Sequence, residues 1–476
     1  MLTTKCILKP LLQFALVCTY LSMGGIQIAQ AGGTPSPGSL DTTFGINGIT
    51  QTDFNNLQNE VTRATTQADG KIVVIGYDNN LSNTAYDFVV VRYHPNGSLD
   101  TSFGTNGRVT TDFYDPSMSL SPWNTDVNDY AESVAIQPDG KIIVAGTTAY
   151  QAAATGYTYG TSDFALARYN SNGTLDSTFG NGGKLRIDFA ELGQSDGAAD
   201  LLILPNGQIL VVGTAVNGYD SSSQTSYTSI AMIRLDSDGG IDRSFGNRGK
   251  TLSTSNEWQI ANAVLQPDGK IVVGGHYGIS WNYGRTQAAV ARFNADGSAD
   301  SSFGTNGYTI TAYPSTFESY FAEVAVQVLS DGTFKIVGVG SAWAYLPNTG
   351  GFSDGYVFTA ARYNSDGTLD ATFDGDGLVV TNLPRVYQEY FNSLIVQADG
   401  KILAGGASTG VITLIRYNVD GSLDTRFGSK GIASSSAVTG WFNKLLSVAN
   451  NKVVAVGTMQ GGSTTYTDHL LTRYFQ

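Results

Sequence analysis

Cysteine is almost missing from this chain of 476 residues. The only two copies, Cys6 and Cys18, fall within the first 31 positions. A disulfide framework, a thiol nucleophile and a thiolate metal site are thereby excluded for everything that follows. Histidine is nearly as scarce, with His94, His276 and His469 far apart in sequence. Three scattered histidines make neither a metal cluster nor a catalytic triad on their own. Positive charge is also short: 27 Lys and Arg stand against 40 Asp and Glu, a net charge of −13. That balance argues against a nucleic-acid partner, which needs clustered cations to neutralise phosphate. Beyond residue 31 there is no apolar run long enough to cross a bilayer as a helix, so no membrane insertion is expected there.

Residues 1–31 read as a secretory signal. Lys5 and Lys9 supply the positive start, Leu11–Met23 is mostly apolar, and Ala29-Gln30-Ala31 suits small-residue cleavage. An N-terminal membrane anchor is the alternative. Val17 before Cys18 fits a lipoprotein cleavage box poorly. Gly32–Gly38, GGTPSPG, reads as a linker. The expected location is secreted, periplasmic or at the cell surface.

Glycine is abundant at 57 residues, and Tyr, Val, Thr and Ile are plentiful. This composition suits many short strands joined by tight turns. The stretch Arg92–Gly107, RYHPNGSLDTSFGTNG, recurs from Arg168, Arg234, Arg292, Arg362 and Arg416. A seventh copy is split between LLTRYFQ at the C-terminus and SLDTTFGINGIT at Ser39–Thr50. A second signature, QPDGKIIVAG at Gln137, has partners beginning at Gln67, Leu204, Gln266, Leu329, Gln397 and Val448. Each unit divides into four strands, with Asp-Gly or Asn-Gly turns supplying the positive φ that tight reversals need. Seven four-stranded units of about 60 residues predict a seven-bladed β-propeller over residues 39–476. The split copy predicts that strand Ile49–Asp53 completes the last blade and closes the ring.

Over Ser39–Gln476 the pattern RY-x-x-[DN]G-x-LD-x-x-FG-x-x-G resembles the bacterial delta-60 repeat family. The resemblance implies a propeller-like exported protein. It implies no catalytic activity.

Phe44, Phe103, Phe179, Phe245, Phe303, Phe373 and Phe427 are one repeated position and read as packing anchors between blades. The preceding aspartates, Asp41 to Asp424, suit turn capping or pairing with the strand-three arginines. One Arg–Asp or Arg–carbonyl cluster per blade is expected. No cofactor is expected. Calcium is the one alternative, because Asn364-Ser365-Asp366-Gly367 with Asp370, and Asp236, Asp238 and Asp242, place oxygen ligands at loosely suitable spacings. Asn96 and Ala299 stand where other copies would need a carboxylate, and turn chemistry accounts for the pattern without metal.

The strand two–three and four–one loops vary widely in length while the opposite turns are nearly constant. Variable loops on a constant frame suit a binding face. Trp123, Trp258, Trp281, Trp343 and Trp441 fall in or beside these loops, with Tyr283, Tyr345 and His276. Tyr130, Tyr320 and Tyr390, with Trp258 and Trp441, precede strand one and are expected to ring the channel mouth. Aromatic faces beside Asn, Ser and Thr suit a carbohydrate or protein ligand; packing of the loops onto the blades is the alternative for each. The leading expectation is a monomeric, non-catalytic binder. A glycan-active hydrolase or lyase would draw carboxylates from Asp126, Asp129, Glu132, Glu257, Glu318, Glu323 or Glu389. A structural cell-surface module is the third reading.

Overall fold

The computed structural model describes residues 35–54, 59–79, 85–113, 128–151, 160–189, 195–220, 225–254, 257–278, 286–345, 354–383, 389–460 and 467–476. Ser36–Gln476 forms one compact unit; the expected signal lies outside the described residues. Seven four-stranded antiparallel sheets make up this unit. Their inner strands are Asn59–Thr66, Asp129–Ile136, Asp196–Ile203, Trp258–Leu265, Thr316–Val328, Glu389–Val396 and Trp441–Val448, here blades 1 to 7. Each inner strand touches the next, and blade 7 touches blade 1. The result is a closed seven-bladed β-propeller.

The closure lies in blade 7. Its outermost strand is Ile49–Thr52, which pairs antiparallel with Thr467–Phe475 from Ile49↔Thr472 to Thr52↔His469. The join extends past the strand. In blade 1, His94 N–H donates to Ser98 at 2.8 Å and Gly97 N–H donates to His94 at 2.9 Å, closing the strand three–four turn. In blade 7, Phe475 N–H donates to Ser39 at 3.0 Å and Gly38 N–H donates to Phe475 at 2.8 Å. Two distant chain segments thus rebuild one turn. Ser36–Gly38, read from sequence as the end of a linker, belongs to the blade because its main chain supplies half of that turn.

The repeated stretch forms the joint between neighbours. Arg92 pairs with Asp100 at 2.8 Å, lies 4.5 Å above the Phe103 ring and donates to the Ser171 carbonyl of blade 2. The same three-way contact recurs at Arg168, Arg234, Arg292, Arg362 and Arg473, with arginine–phenylalanine distances of 4.7, 4.8, 4.6, 4.7 and 4.7 Å. Arg416 has the aspartate and the ring, at 2.9 and 4.6 Å. All seven phenylalanines are fully buried. The aspartate also caps its turn: Asp300 Oδ1 accepts from the Ser302 amide and hydroxyl while Oδ2 accepts from Arg292 and Lys270. These contacts outweigh burial and hold Asp300 well below the usual carboxylate range.

A second constraint acts on every inner strand. Each carries a bulge at the same register, as between Phe321 and Glu323 or Ile260 and Asn262. The bulge pushes one carbonyl toward strand two. Opposite it stands Gly76, Gly146, Gly213, Gly275, Gly340, Gly406 or Gly457, and a Cβ at any of these would overlap that carbonyl oxygen. The invariant glycine ending the VVxG-type signature is thus a consequence of the bulge.

Two tests follow. Gly340→Ala should destabilise the protein by about 3 kcal/mol, the upper end for overpacking, read from urea unfolding; a loss under about 0.5 kcal/mol, the scale of an unconstrained substitution, would contradict the overlap. Deleting residues 36–53 should expose the edge of Thr467–Phe475 and cause aggregation. A soluble monomer with unchanged Tm would contradict the closure.

Candidate functional site

Strand periodicity decides which residues reach the axis. The residue just after each bulge is Arg63, Ser133, Asp200, Asn262, Glu323, Ser393 or Lys444. Five of these accept a hydrogen bond from the next blade. Ser133 Oγ accepts from Leu201 N–H (3.2 Å), Asp200 Oδ2 from Ala263 (2.9 Å) and Asn262 Oδ1 from Val324 (2.8 Å). Glu323 Oε2 accepts from Leu394 (2.9 Å) and Ser393 Oγ from Leu445 (3.0 Å). The two cations cannot accept and reach across the axis instead. Arg63 donates to the Ala261 carbonyl of blade 4 at 2.7 Å, and Lys444 pairs with Glu323. A polar ring therefore lines the waist of the channel. Sequence reading missed it, although the seven glycines opposite the bulge mark its position.

Two carboxylates at this waist sit in opposed environments. Burial pushes Glu132 up to about 7, against the pull of Arg63. Burial acts on Glu323 too, but Lys444 and Arg63 outweigh it and hold the group below its ordinary value. The other candidate carboxylates serve the fold or a neighbouring ring. Asp129 accepts from Phe113 N–H and Glu389 from Leu383 N–H, both at 2.7 Å, pinning the chain where it enters strand one. Glu318 accepts from Tyr356 Oη at 2.7 Å. Asp126 lies outside the described residues, and Glu257 holds a positive φ of 82°.

The variable-loop face carries an aromatic arc. His276 meets Tyr320 edge-on at 6.3 Å, Tyr320 meets Tyr356 at 6.2 Å, and Tyr356 meets Tyr390 at 4.8 Å and Trp343 at 4.8 Å. All five are partly buried. Burial pushes His276 down to about 4, leaving a neutral imidazole at neutral pH. Tyr130 belongs to a separate cluster, 4.9 Å from Tyr77 and 5.6 Å from Tyr86. Trp441 is 60% exposed and Tyr345 58%. Trp123, Trp281 and Tyr283 lie outside the described residues.

Trp258 corrects the expectation. It is fully buried, edge-on to Tyr277 and Tyr308. Tyr130, Tyr320, Tyr390 and Trp441 stand three residues before the position that follows the bulge, whereas Trp258 stands four before Asn262. One residue along a strand turns the side chain to the other face. Gln259 takes the exposed place, and Trp258 fills the slot that Asp129 and Glu389 occupy in their blades.

The turns first weighed for calcium are held by protein groups. Asp366 Oδ1 accepts from the Thr368 amide and hydroxyl, and Asp370 serves Thr372 and Arg362. Asp242 serves Ser244, Arg234 and Gln208.

Six stretches, 67–103, 137–179, 204–245, 266–303, 335–373 and 397–427, match a family described as a domain of unknown function (DUF5122) β-propeller. The chain is similar to that family in six of its seven repeats. The DUF5122 stretches each end on the joint phenylalanine, Phe103 to Phe427. The match supports the propeller repeat; the delta-60 label is not the description under which it falls. No curated protein matches. Among solved structures, a protein of unknown function from Dyadobacter fermentans is 13% identical, covering 90% of this chain and 100% of that one, with a TM-score of 0.45. The polysaccharide lyase Uly1 is 12% identical over 87% and 90%, TM-score 0.47. An α-L-arabinofuranosidase from Fusarium graminearum is 9% identical over 76% and 94%, TM-score 0.40.

The waist carboxylate yields a pH prediction. Native Glu132 keeps its proton to about pH 7, while the unfolded group releases it near 4.5. Between those values the native state binds more protons, so this stability is present at the acidic end and lost as pH rises. The unfolding free energy should fall by about 2 kcal/mol more from pH 5 to 7.5 in the wild type than in Glu132→Gln. Parallel pH profiles by urea titration would refute it.

Proposed function

We propose that this protein is an exported, non-catalytic binder of a glycan, held on the variable-loop face. The observation carrying this reading is the arc His276–Tyr320–Tyr356–Tyr390 with Trp343. It spans blades 4 to 6 with successive rings 4.8–6.3 Å apart. Ring faces with hydroxyls at their rims supply stacking and hydrogen bonding together, as a sugar requires. The hydrogen bond from Tyr356 to Glu318 fixes the central ring before any ligand arrives.

The opposed environments of Glu132 and Glu323 favour a second reading, a glycan hydrolase or lyase with Glu132 as proton donor. Against it, one Glu323 oxygen accepts from Leu394 N–H and the other pairs with Lys444, which engages that carboxylate in closing the ring.

The test is a tryptophan-fluorescence titration of residues 32–476 against oligosaccharides and cell-envelope polymers. A saturable shift is expected for a glycan, weakened about tenfold by Tyr356→Ala, the scale of one lost aromatic anchor. No shift with any glycan would overturn the carbohydrate reading. Cleaved product in the same mixture would establish the enzyme instead.

A further inference from the structure

Four inner strands carry an aromatic at one repeated place, three residues before the position that follows the bulge: Tyr130, Tyr320, Tyr390 and Trp441. Three of these are met by a ring from the preceding blade. Tyr130 meets Tyr77 at 4.9 Å and Tyr86 at 5.6 Å. Tyr320 meets His276 at 6.3 Å, and Tyr390 meets Tyr356 at 4.8 Å. Trp441 meets no ring among the described residues and stays 60% exposed.

The height of blade 6 accounts for the difference. Rungs between strands two and three are counted here from Ile72↔Tyr93 and its equivalents, Ile336↔Tyr363 and Ile402↔Tyr417. In blade 5 the eighth rung is Trp343↔Tyr356, which supplies the ring over Tyr390, and the ladder runs on to Tyr345↔Asp354. In blade 1 the eighth rung is Asn79↔Tyr86, which serves Tyr130. Blade 6 stops at the seventh, Ser408↔Val411. Thr409 and Gly410 then reverse the chain with φ of 46° and 77°, the two positive values that a type I′ hairpin turn requires. The turn therefore stands where the eighth rung would be. The sixth rung below it, Ala407↔Ile412, is buried and carries no ring.

The turn is also tied to the tryptophan. Gly440 N–H donates to the Gly410 carbonyl at 2.9 Å, so the residue before Trp441 is fixed on the tip of the hairpin. Thr409 is exposed, and a Cβ on Gly410 would meet nothing within 4 Å. Trp441 thus keeps the register of Tyr390 while the ring that covers Tyr390 has no counterpart. An exposed indole beside a place that a ring fills one blade earlier is a stacking platform.

We propose that a sugar ring of the bound glycan stacks on Trp441 over the Thr409–Gly410 turn, in the place that Tyr356 takes over Tyr390. The inference rests on the glycan reading and narrows it. The arc ends at Tyr390 in blade 6, and Trp441 carries the same line of inner-strand aromatics into blade 7. The ligand class is accordingly an extended oligosaccharide spanning these blades, with a single sugar or disaccharide too short to use the whole path.

The experiment is isothermal titration calorimetry of the full chain against cello-, chito- and xylo-oligosaccharides, each from disaccharide to hexasaccharide. Affinity should rise with length in one of the series. Trp441→Ala should weaken the hexasaccharide about tenfold, the scale of a lost aromatic anchor, and should remove the length dependence while leaving the disaccharide unchanged. Trp441→Tyr, which restores a ring, should recover the loss. Thr409→Tyr sets a protein ring at the eighth place and should act like Trp441→Ala; should it fail to fold, the two Trp441 variants decide the matter, because that side chain is exposed. Length dependence that survives Trp441→Ala would overturn the inference. So would an affinity that is flat with length yet still weakened by Tyr356→Ala, which would leave the glycan reading standing. Absence of binding to all three series would overturn it too, and the wider panel of oligosaccharides and cell-envelope polymers then decides the glycan reading separately.

Discussion

The propeller depends on the arginine that leaves strand three of one blade and ends on a main-chain carbonyl of the next. That guanidinium is buried, so its charge has to be matched and its N–H groups directed. The aspartate eight residues later supplies the charge, the phenylalanine supplies a face, and the neighbouring turn supplies the last acceptor. A blade on its own would leave the guanidinium without that acceptor. The contact is therefore completed only between blades, which makes the repeat a device for adjacency as well as a folding unit. Gln208 shows how the design tolerates variation. It stands where other blades place a lysine and satisfies Asp242 by hydrogen bonding, at 2.8 Å, without adding charge.

Nearer the axis the constraint is steric. The bulge gives each inner strand an extra residue and re-aims the next side chain, and the glycine opposite makes room for the displaced carbonyl. Five of the re-aimed residues bind the adjacent blade, while Arg63 and Lys444 span the channel. The waist is accordingly lined by the groups that hold the ring together. The loop face above it carries the aromatic arc of His276, Tyr320, Tyr356 and Tyr390 with Trp343.

How much of this could be read in advance follows from which features repeat. Strand order, blade number, ring closure and the Arg–Asp–Phe joint rest on residues that recur seven times, and the turn glycines fix the phase of each unit. The waist residues share a position without sharing a chemistry, running from Arg63 through Ser133 to Glu323, so no motif announced them. Only the glycine across the ladder was constant, and without the bulge its meaning was hidden. Trp258 misled for a related reason. The sequence reading grouped it with Tyr130 and Tyr390, but it stands one residue further from its turn than they do, before Asp268 rather than Asp139 or Asp399, and an offset of one residue reverses a strand's facing. The channel-mouth carboxylates Asp129 and Glu389 could not be told from Glu132, because reach toward the axis depends on which side of the bulge a residue stands. Trp123, Trp281 and Tyr283 lie outside the described residues.

The shared turn in blade 7 bears on how the ring forms. Leu40 bridges to Tyr474, so the pairing that seals the molecule joins residues from opposite ends of the chain. Six blades are each built from contiguous segments and can assemble while synthesis continues. The seventh has to wait for the last strand to appear. The entropy of closing so long a loop grows only with the logarithm of its length and is a modest thermodynamic burden. The search for such a non-local partner is slow, however, and until it succeeds the strand edge at Thr467–Phe475 stays open. Folding should therefore pass through a ring complete in all but one strand. The period in which this chain is most exposed to mispairing falls at the end of its folding.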